Sequence, residues 1–180
     1  VVLGNHRDAW VYGGVDPSSG SASMMELART LGTLAREGMP PKRTIVFASW
    51  DAEEWTLTSS TEWGEQFEQE LREKAVAYIN VDSSASGPNF TAAAVPALNR
   101  FIAEAAGAVM DPVTKVPLTD AWKTRSMKER GSLPTGAGED LVNNRLGSGS
   151  DYTVFLNFLG VPIVHMAFDG PYGVYHSMYD

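Results

Sequence analysis

Thr44-Ile45-Val46-Phe47-Ala48-Ser49, running directly into Trp50-Asp51-Ala52-Glu53-Glu54, is the stretch on which the fold turns. A short apolar run that ends abruptly in carboxylates reads as a strand of a sheet covered on both sides, with polar chemistry at its carboxyl end. On its N-terminal side the spacing predicts a helix over 21–36, with Met24, Leu27, Ala28, Leu31, Leu34 and Ala35 on one face; Gly38 and Pro40-Pro41 end it. Further back, 1–3 reads as a buried strand that stops at Gly4-Asn5-His6. On the C-terminal side a Glu-rich helix is expected over 59–74, a buried strand over 75–81, and a helix over 96–108 with Leu98, Phe101, Ile102 and Ala105 inward. The pattern dissolves into an irregular loop over 111–149, then resumes as a helix over 151–159 and a strand over 161–168. This alternation implies an α/β fold: a central, mostly parallel sheet with helices on both faces.

Composition narrows the function. The 180 residues are 43% hydrophobic and 20% charged, with no cysteine and a formal net charge of −8 from 22 acidic and 14 basic residues. The apolar content excludes a disordered chain, and no apolar run approaches the roughly 20 residues of a membrane helix. The absence of cysteine excludes disulfides, thiolate zinc sites and cysteine nucleophiles. An acidic balance argues against nucleic acid as a partner. It is compatible with carboxylates turned inward onto divalent cations.

The residues able to hold such cations sit at strand ends. His6 and Asp8 follow the first strand, and Asp16 lies in the loop after it. Asp51, Glu53 and Glu54 follow the second, Asp82 the third, and His176 comes shortly after the last. In an open α/β sheet, ligands bind outside the carboxyl ends of the strands, so these loops should converge on one edge. Two imidazoles and at least three carboxylates suit zinc, which takes about three protein ligands plus an open position when catalytic. Five ligands serve two ions if one carboxylate bridges, and two ions about 3.5–4 Å apart can act together on water and a carbonyl. The adjacency of Glu53 and Glu54 lets one side chain face metal and the other face water.

Six separated motifs occur in order: Gly4-Asn5-His6-Arg7-Asp8-Ala9-Trp10, Gly13-Gly14-Val15-Asp16-Pro17, Phe47 to Glu54, Asn80-Val81-Asp82-Ser83-Ser84, Leu146 to Asp151, and Tyr175-His176-Ser177. Together they resemble the glutamate carboxypeptidase II-like dizinc exopeptidases, a superfamily that also holds zinc aminopeptidases and the transferrin receptor. The resemblance runs over 1–180 and is weak only over about 88–143. It implies that His6 and Asp82 bind one Zn²⁺, Glu54 and His176 the other, and that Asp16 bridges both. It further implies that Glu53 is the general base and acid, working on a metal-bridging water at a terminal peptide bond. Asp8 would orient His6 from behind, and Tyr175 would donate its hydroxyl hydrogen bond to the oxyanion. The transferrin receptor branch keeps the fold without the ligand set, as a non-catalytic binding or dimerisation module; this chain fills every ligand position with the right residue type.

Departures from the resembled pattern concern specificity and one turn. The Glu-Glu pair is followed by Trp55-Thr56-Leu57-Thr58-Ser59 where close relatives have glycine-containing turns, and glycine alone reaches positive φ cheaply. Ala92-Ala93-Ala94 and His165-Met166-Ala167 stand where the glutamate-preferring enzyme carries arginines, and Ser150 replaces an asparagine. A preference for acidic side chains is therefore not implied. His165 reads as a strand or pocket-wall residue, Trp10 as a wall of the site, and Arg125 or Arg145 as a candidate for a substrate carboxylate. Asp16-Pro17 is a candidate cis bond, and Asn89-Phe90-Thr91 is an N-glycosylation sequon. The resemblance implies a secretory, extracellular, vacuolar or membrane-anchored setting through a segment outside these residues. It also implies a possible homodimer formed outside them. The chain starts without Met inside a strand-like run, so 1–180 is expected to be one catalytic domain of a longer protein.

Overall fold

The computed structural model describes residues 1–130 and 138–180. Their elements are β1 (Val2–His6), α1 (Ser18–Arg36), β2 (Val46–Trp50), α2 (Thr58–Gln66), α3 (Glu68–Lys74), β3 (Tyr78–Asn80), β4 (Asn89–Ala94), α4 (Asn99–Gly107), α5 (Leu118–Arg130), α6 (Tyr152–Val154) and β5 (Ile163–Asp169). A π-helical turn, Phe155–Leu159, continues α6. The strands form one sheet in the order β2-β1-β3-β5-β4. β2, β1, β3 and β5 run parallel, with Leu3 opposite both Phe47 and Ile79, and Ile79 opposite Val164; β4 is antiparallel to β5. The α/β architecture expected from the alternation is the one observed.

Register assigns the helices to faces, because alternate strand residues point to opposite sides. Val2, Ala48, Trp50, Tyr78 and Ile163 share a core with Leu71 of α3, Tyr152 and Val154 of α6, and Phe155. The aromatic rings of Tyr78 and Phe155 stack there with centroids 4.1 Å apart. Val164 faces the other way, into a core with Ile102 and Ala106 of α4 and Leu118 and Trp122 of α5. α1 lies against β1 and β2 on that second side. The chain thus crosses from β1 to β2 over one face and from β2 to β3 over the other, which makes the β1–β3 junction a switch point in strand order.

Several elements differ from the sequence expectation. The run expected to be covered on both sides is the edge strand β2, with Val46 40% and Phe47 37% exposed. The helix expected over 59–74 is broken at Phe67 into α2 and α3. The weakly patterned span 111–149 contains α5, whose inner face rests on few apolar anchors among many charges; residues 131–137 of that span lie outside the described residues. β4 was hidden because Thr91-Ala92-Ala93-Ala94 lacks the bulky residues that mark strands. On α4 the buried residues are Ile102, Ala103 and Ala106, while Phe101 is exposed. No described helix is long and apolar enough to cross a membrane.

Candidate metal centre

β1 delivers His6 at its last position, and the imidazole is buried. The preceding residue anchors the next loop: fully buried Asn5 donates from Nδ2 to Pro17 O at 2.9 Å and to Ser21 Oγ at 3.1 Å. Close packing at this point requires glycine, since a Cβ on Gly20 would collide with the Val81 carbonyl oxygen and the Asn5 amide. The Asp16–Pro17 bond is cis. Asp16 is buried, its carboxylate beside His6 at the carboxyl end of β1.

The Glu53-Glu54 turn is fixed from the β1 side. Asp8 Oδ1 and Oδ2 accept the backbone N–H groups of Glu53 and Glu54 at 3.0 and 3.2 Å. The same carboxylate lies 3.5 Å from His6 Nδ1, which has a shorter contact of 2.9 Å to the Asp8 carbonyl oxygen. Asp8 therefore holds the acidic turn as well as backing the imidazole. In the non-glycine turn that follows the Glu-Glu pair, Thr56 and Leu57 adopt positive φ all the same, at 70° and 57°, as does Ala52 just before the pair, at 55°. Such residues cost about 1–2 kcal/mol each in this conformation. Helix α2, starting immediately afterwards, and backbone bonds from Leu57 to Glu53 O and from Thr58 to Ala52 O hold them there.

The side chains converge in two groups, His6 with Glu53 and Asp82, and Asp16 with Glu54 and His176; within each, the ligand atoms lie within 4.8 Å of one another. Asp16 reaches both. Its Oδ1 lies 3.0 Å from His6 Nε2, and its Oδ2 lies 2.9 Å from His176 Nε2. His6 Nε2 is also 3.0 Å from Asp82 Oδ1, and His176 Nε2 is 3.4 Å from Glu54 Oε1. One ring nitrogen carries at most one proton and cannot satisfy two carboxylates at once. Among the described residues, Asp16 Oδ1 and Glu54 Oε1 are buried oxygens that accept no hydrogen bond. A donor set of imidazole nitrogens and under-satisfied carboxylates, without thiolate, fits a zinc-type cation.

Electrostatics points the same way. Burial works against charge on His6, but the carboxylates of Asp16 and Asp82 beside its Nε2 prevail and raise its pKa to about 11. Asp82 would be raised by burial, yet the bond to His6 takes it down to about 2. Burial pushes Glu53 up to about 8, with Asp82 and Asp151 adding to the shift, and pushes Glu54 upward too. These groups crowd more negative charge than protons and one imidazolium can neutralise comfortably, and a bound dication reverses that balance.

Around this centre the structure places the other predicted residues and some the sequence reading missed. The Tyr175 ring stacks on the His176 imidazole, with centroids 3.8 Å apart, and burial together with Asp16 keeps its hydroxyl protonated by raising its pKa. Trp10 stands 6.4 Å from the same imidazole and 4.8 Å from Trp55. Ser150, read only as a departure from a pattern, donates from Oγ to Asp82 Oδ2 at 2.7 Å. Ser150 is in turn held by Asn80 Nδ2 at 3.0 Å, and that amide also meets His165 Nδ1 at 3.0 Å. Asp151 is fully buried, which pushes its pKa to about 7. No spacing rule points to Ser150 or Asn80, because their partners come from strands and loops about 70 residues away. Arg125 is committed to the Phe90 carbonyl oxygen at 2.7 Å and does not reach this centre. A cavity of about 580 Å³, lined by Val2, Val46, Trp63, Phe67 and Leu71, opens at the opposite, amino end of the sheet.

The chain is 46% identical over its whole length to a probable glutamate carboxypeptidase, LAMP1, of Arabidopsis thaliana, and 38% identical to a probable glutamate carboxypeptidase, VP8, of Zea mays. It is 39% identical to the aminopeptidase NAALADL1 of Mus musculus. In each case the match covers all of this chain and 24–25% of the relative, so the chain spans about a quarter of the length of these curated relatives. The family model for peptidase family M28 matches residues 1–180, and the chain belongs to peptidase family M28.

Proposed function

We propose that the chain is the catalytic part of a dizinc exopeptidase that hydrolyses a peptide bond near a free terminus. The observation that carries this reading is Asp16, whose two carboxylate oxygens lie 3.0 and 2.9 Å from the imidazoles of two different ligand groups. That is the placement a bridging carboxylate needs. His6 and Asp82 would hold one ion and Glu54 and His176 the other. Two Zn²⁺ bound there would lower the pKa of a water and polarise the scissile carbonyl.

The chain's own residues supply the remainder. Glu53, buried beside His6 and Asp82, accepts a proton from the attacking water and delivers it to the leaving amine. The protonated Tyr175 hydroxyl donates a hydrogen bond to the developing oxyanion. Asp8 keeps Glu53 and Glu54 in register through their backbone amides. Ser150 occupies Asp82 Oδ2, leaving Oδ1 directed at His6. Relatives bearing both carboxypeptidase and aminopeptidase names support the exopeptidase class without choosing a terminus.

A non-catalytic module on the same fold predicts no bound metal. Zinc content measured together with chelator-reversible peptidase activity, on peptides blocked and unblocked at each end, separates the two. Two zinc ions per chain and cleavage only where one terminus is free are expected in the full-length protein. Absence of tightly bound metal would overturn the proposal, as would hydrolysis indifferent to blocking both ends.

A further inference from the structure

Two of the three residues of the second ligand group, Asp16 and His176, come from loops that no shared strand or helix aligns. Asp16 lies between β1 and α1, whereas His176 follows the end of β5 at Asp169 by seven residues without regular structure. His176 also sits at φ 58°, in the left-handed region that a non-glycine residue avoids unless held. One side chain spans the gap. The buried carboxylate of Asp180 accepts at Oδ1 from the backbone N–H groups of Val15 at 3.2 Å and Asp16 at 3.4 Å, and from the Tyr172 hydroxyl at 3.0 Å. At Oδ2 it accepts the backbone N–H of His176 at 2.9 Å. Its own backbone N–H donates to Ser177 O at 3.0 Å, closing the turn that returns the carboxylate onto His176.

We propose that Asp180 is a positioning residue for the second metal, fixing the spacing of Asp16 and His176 through their main-chain amides. The inference rests on the reading that Asp16, Glu54 and His176 hold an ion. A carboxylate suits the task because it has two oxygens with room for several donors and binds each more strongly than a neutral acceptor would. Its geometry is that of a clamp: one oxygen grips the Asp16 loop and the other the His176 loop, so neither can shift against the other without breaking a charge-assisted bond. Gly14, against which the Asp180 main chain packs, keeps the approach close, since a Cβ there would stand 3.3 Å from the Asp180 carbonyl carbon. The first group, His6 with Asp82 and Glu53, has further supports in Asp8, Ser150 and Asn80 and is tied to Asp180 through Asp16 alone.

The test is zinc binding by the full-length protein and its Asp180→Ala and Asp180→Asn variants, titrated against a competing chelator. Amide hydrogen exchange at Val15, Asp16 and His176 is followed in the metal-free state. Loss of a supporting partner of a metal ligand typically weakens affinity by about 10–100-fold. Asp180→Ala is expected to weaken the second ion, which loses support at both Asp16 and His176, by that factor, and the first, which shares only Asp16, by less, so that the second ion is lost first in the chelator titration. All three amides should exchange faster. Asp180→Asn, which keeps one acceptor oxygen, should fall between. Two ions bound with wild-type affinities by Asp180→Ala would overturn the proposal. So would equal weakening of both ions accompanied by global unfolding, with Asp180→Asn indistinguishable from wild type. A wild-type protein that binds only one ion would overturn the two-ion reading itself, and this proposal with it.

Discussion

Replacing Glu53 by glutamine changes one atom of a buried side chain and removes its basicity while keeping its shape. In the metal-free arrangement Glu53 is held at a pKa of about 8 by burial, with Asp82 and Asp151 nearby. At pH 7 it would then be protonated by about tenfold over its ionised form. Dications held at the neighbouring candidate ligand groups would lower that value into the range in which a carboxylate accepts a proton at neutral pH and gives it up again. General acid–base catalysis of this kind contributes about 10²–10⁴-fold, equivalent to about 3–5 kcal/mol at 1.36 kcal/mol per decade. The assay compares kcat/KM on the preferred peptide with zinc content by elemental analysis. Glu53→Gln should retain two ions and lose about two to four orders of magnitude in kcat, with little change in KM. Turnover within a few-fold of wild type would refute the assignment of the base. So would loss of an ion, because Glu53 also lies within ligand distance of His6 and Asp82 and would then be a ligand.

Asp16→Ala removes the contact common to both imidazoles, so it should lower zinc stoichiometry and weaken both ions; unchanged stoichiometry would refute the bridge. In the metal-free protein, Glu53 at about 8, Asp151 at about 7 and His6 at about 11 each bind protons more tightly folded than unfolded, while Asp82 at about 2 is fully ionised by pH 4. Their linkage therefore makes stability fall as pH rises from about 5 to 9, and zinc should abolish the fall by replacing those protons. Thermal unfolding with and without chelator measures this, and a metal-free midpoint that rises over the same range would refute it. Zinc binding should release protons, seen as a dependence of calorimetric enthalpy on buffer ionisation. Gly20→Ala should destabilise in spite of the gain in helix propensity of about 1 kcal/mol, because the new methyl collides with the Val81 carbonyl; a stabilised variant in chemical denaturation would refute that packing.

How much of this was legible beforehand depends on the distance over which each feature is encoded. β1, β2, β3 and β5 are short apolar runs ending in polar residues, a signal carried within six or seven positions, and their parallel order follows from the helices between them. β4 and α5 were not legible, because Thr91-Ala92-Ala93-Ala94 and the charge-rich 118–130 segment owe their structure to packing on Phe90, Trp122 and Leu141 rather than to local pattern. The edge position of β2 was equally hidden: an apolar strand looks the same whether its neighbour is present on one side or both.

For the centre itself, the sequence alone determined the chemistry of the donors. With no cysteine, and with histidines and carboxylates standing at strand ends, hard and borderline cations were the ones it could hold, and parallel strands bring such ends to one edge. The tertiary structure decided which oxygen faces which nitrogen. It put the two oxygens of Asp16 on different imidazoles, turned Asp8 toward the amides of Glu53 and Glu54, and hydrogen-bonded Ser150 to Asp82, Asn80 to Ser150, and Asp180 to the amide of His176. The physical reason is that residue type sets what an atom can bind. Hydrogen bonds and close packing between segments up to 165 residues apart set where that atom stands, and no local pattern encodes them.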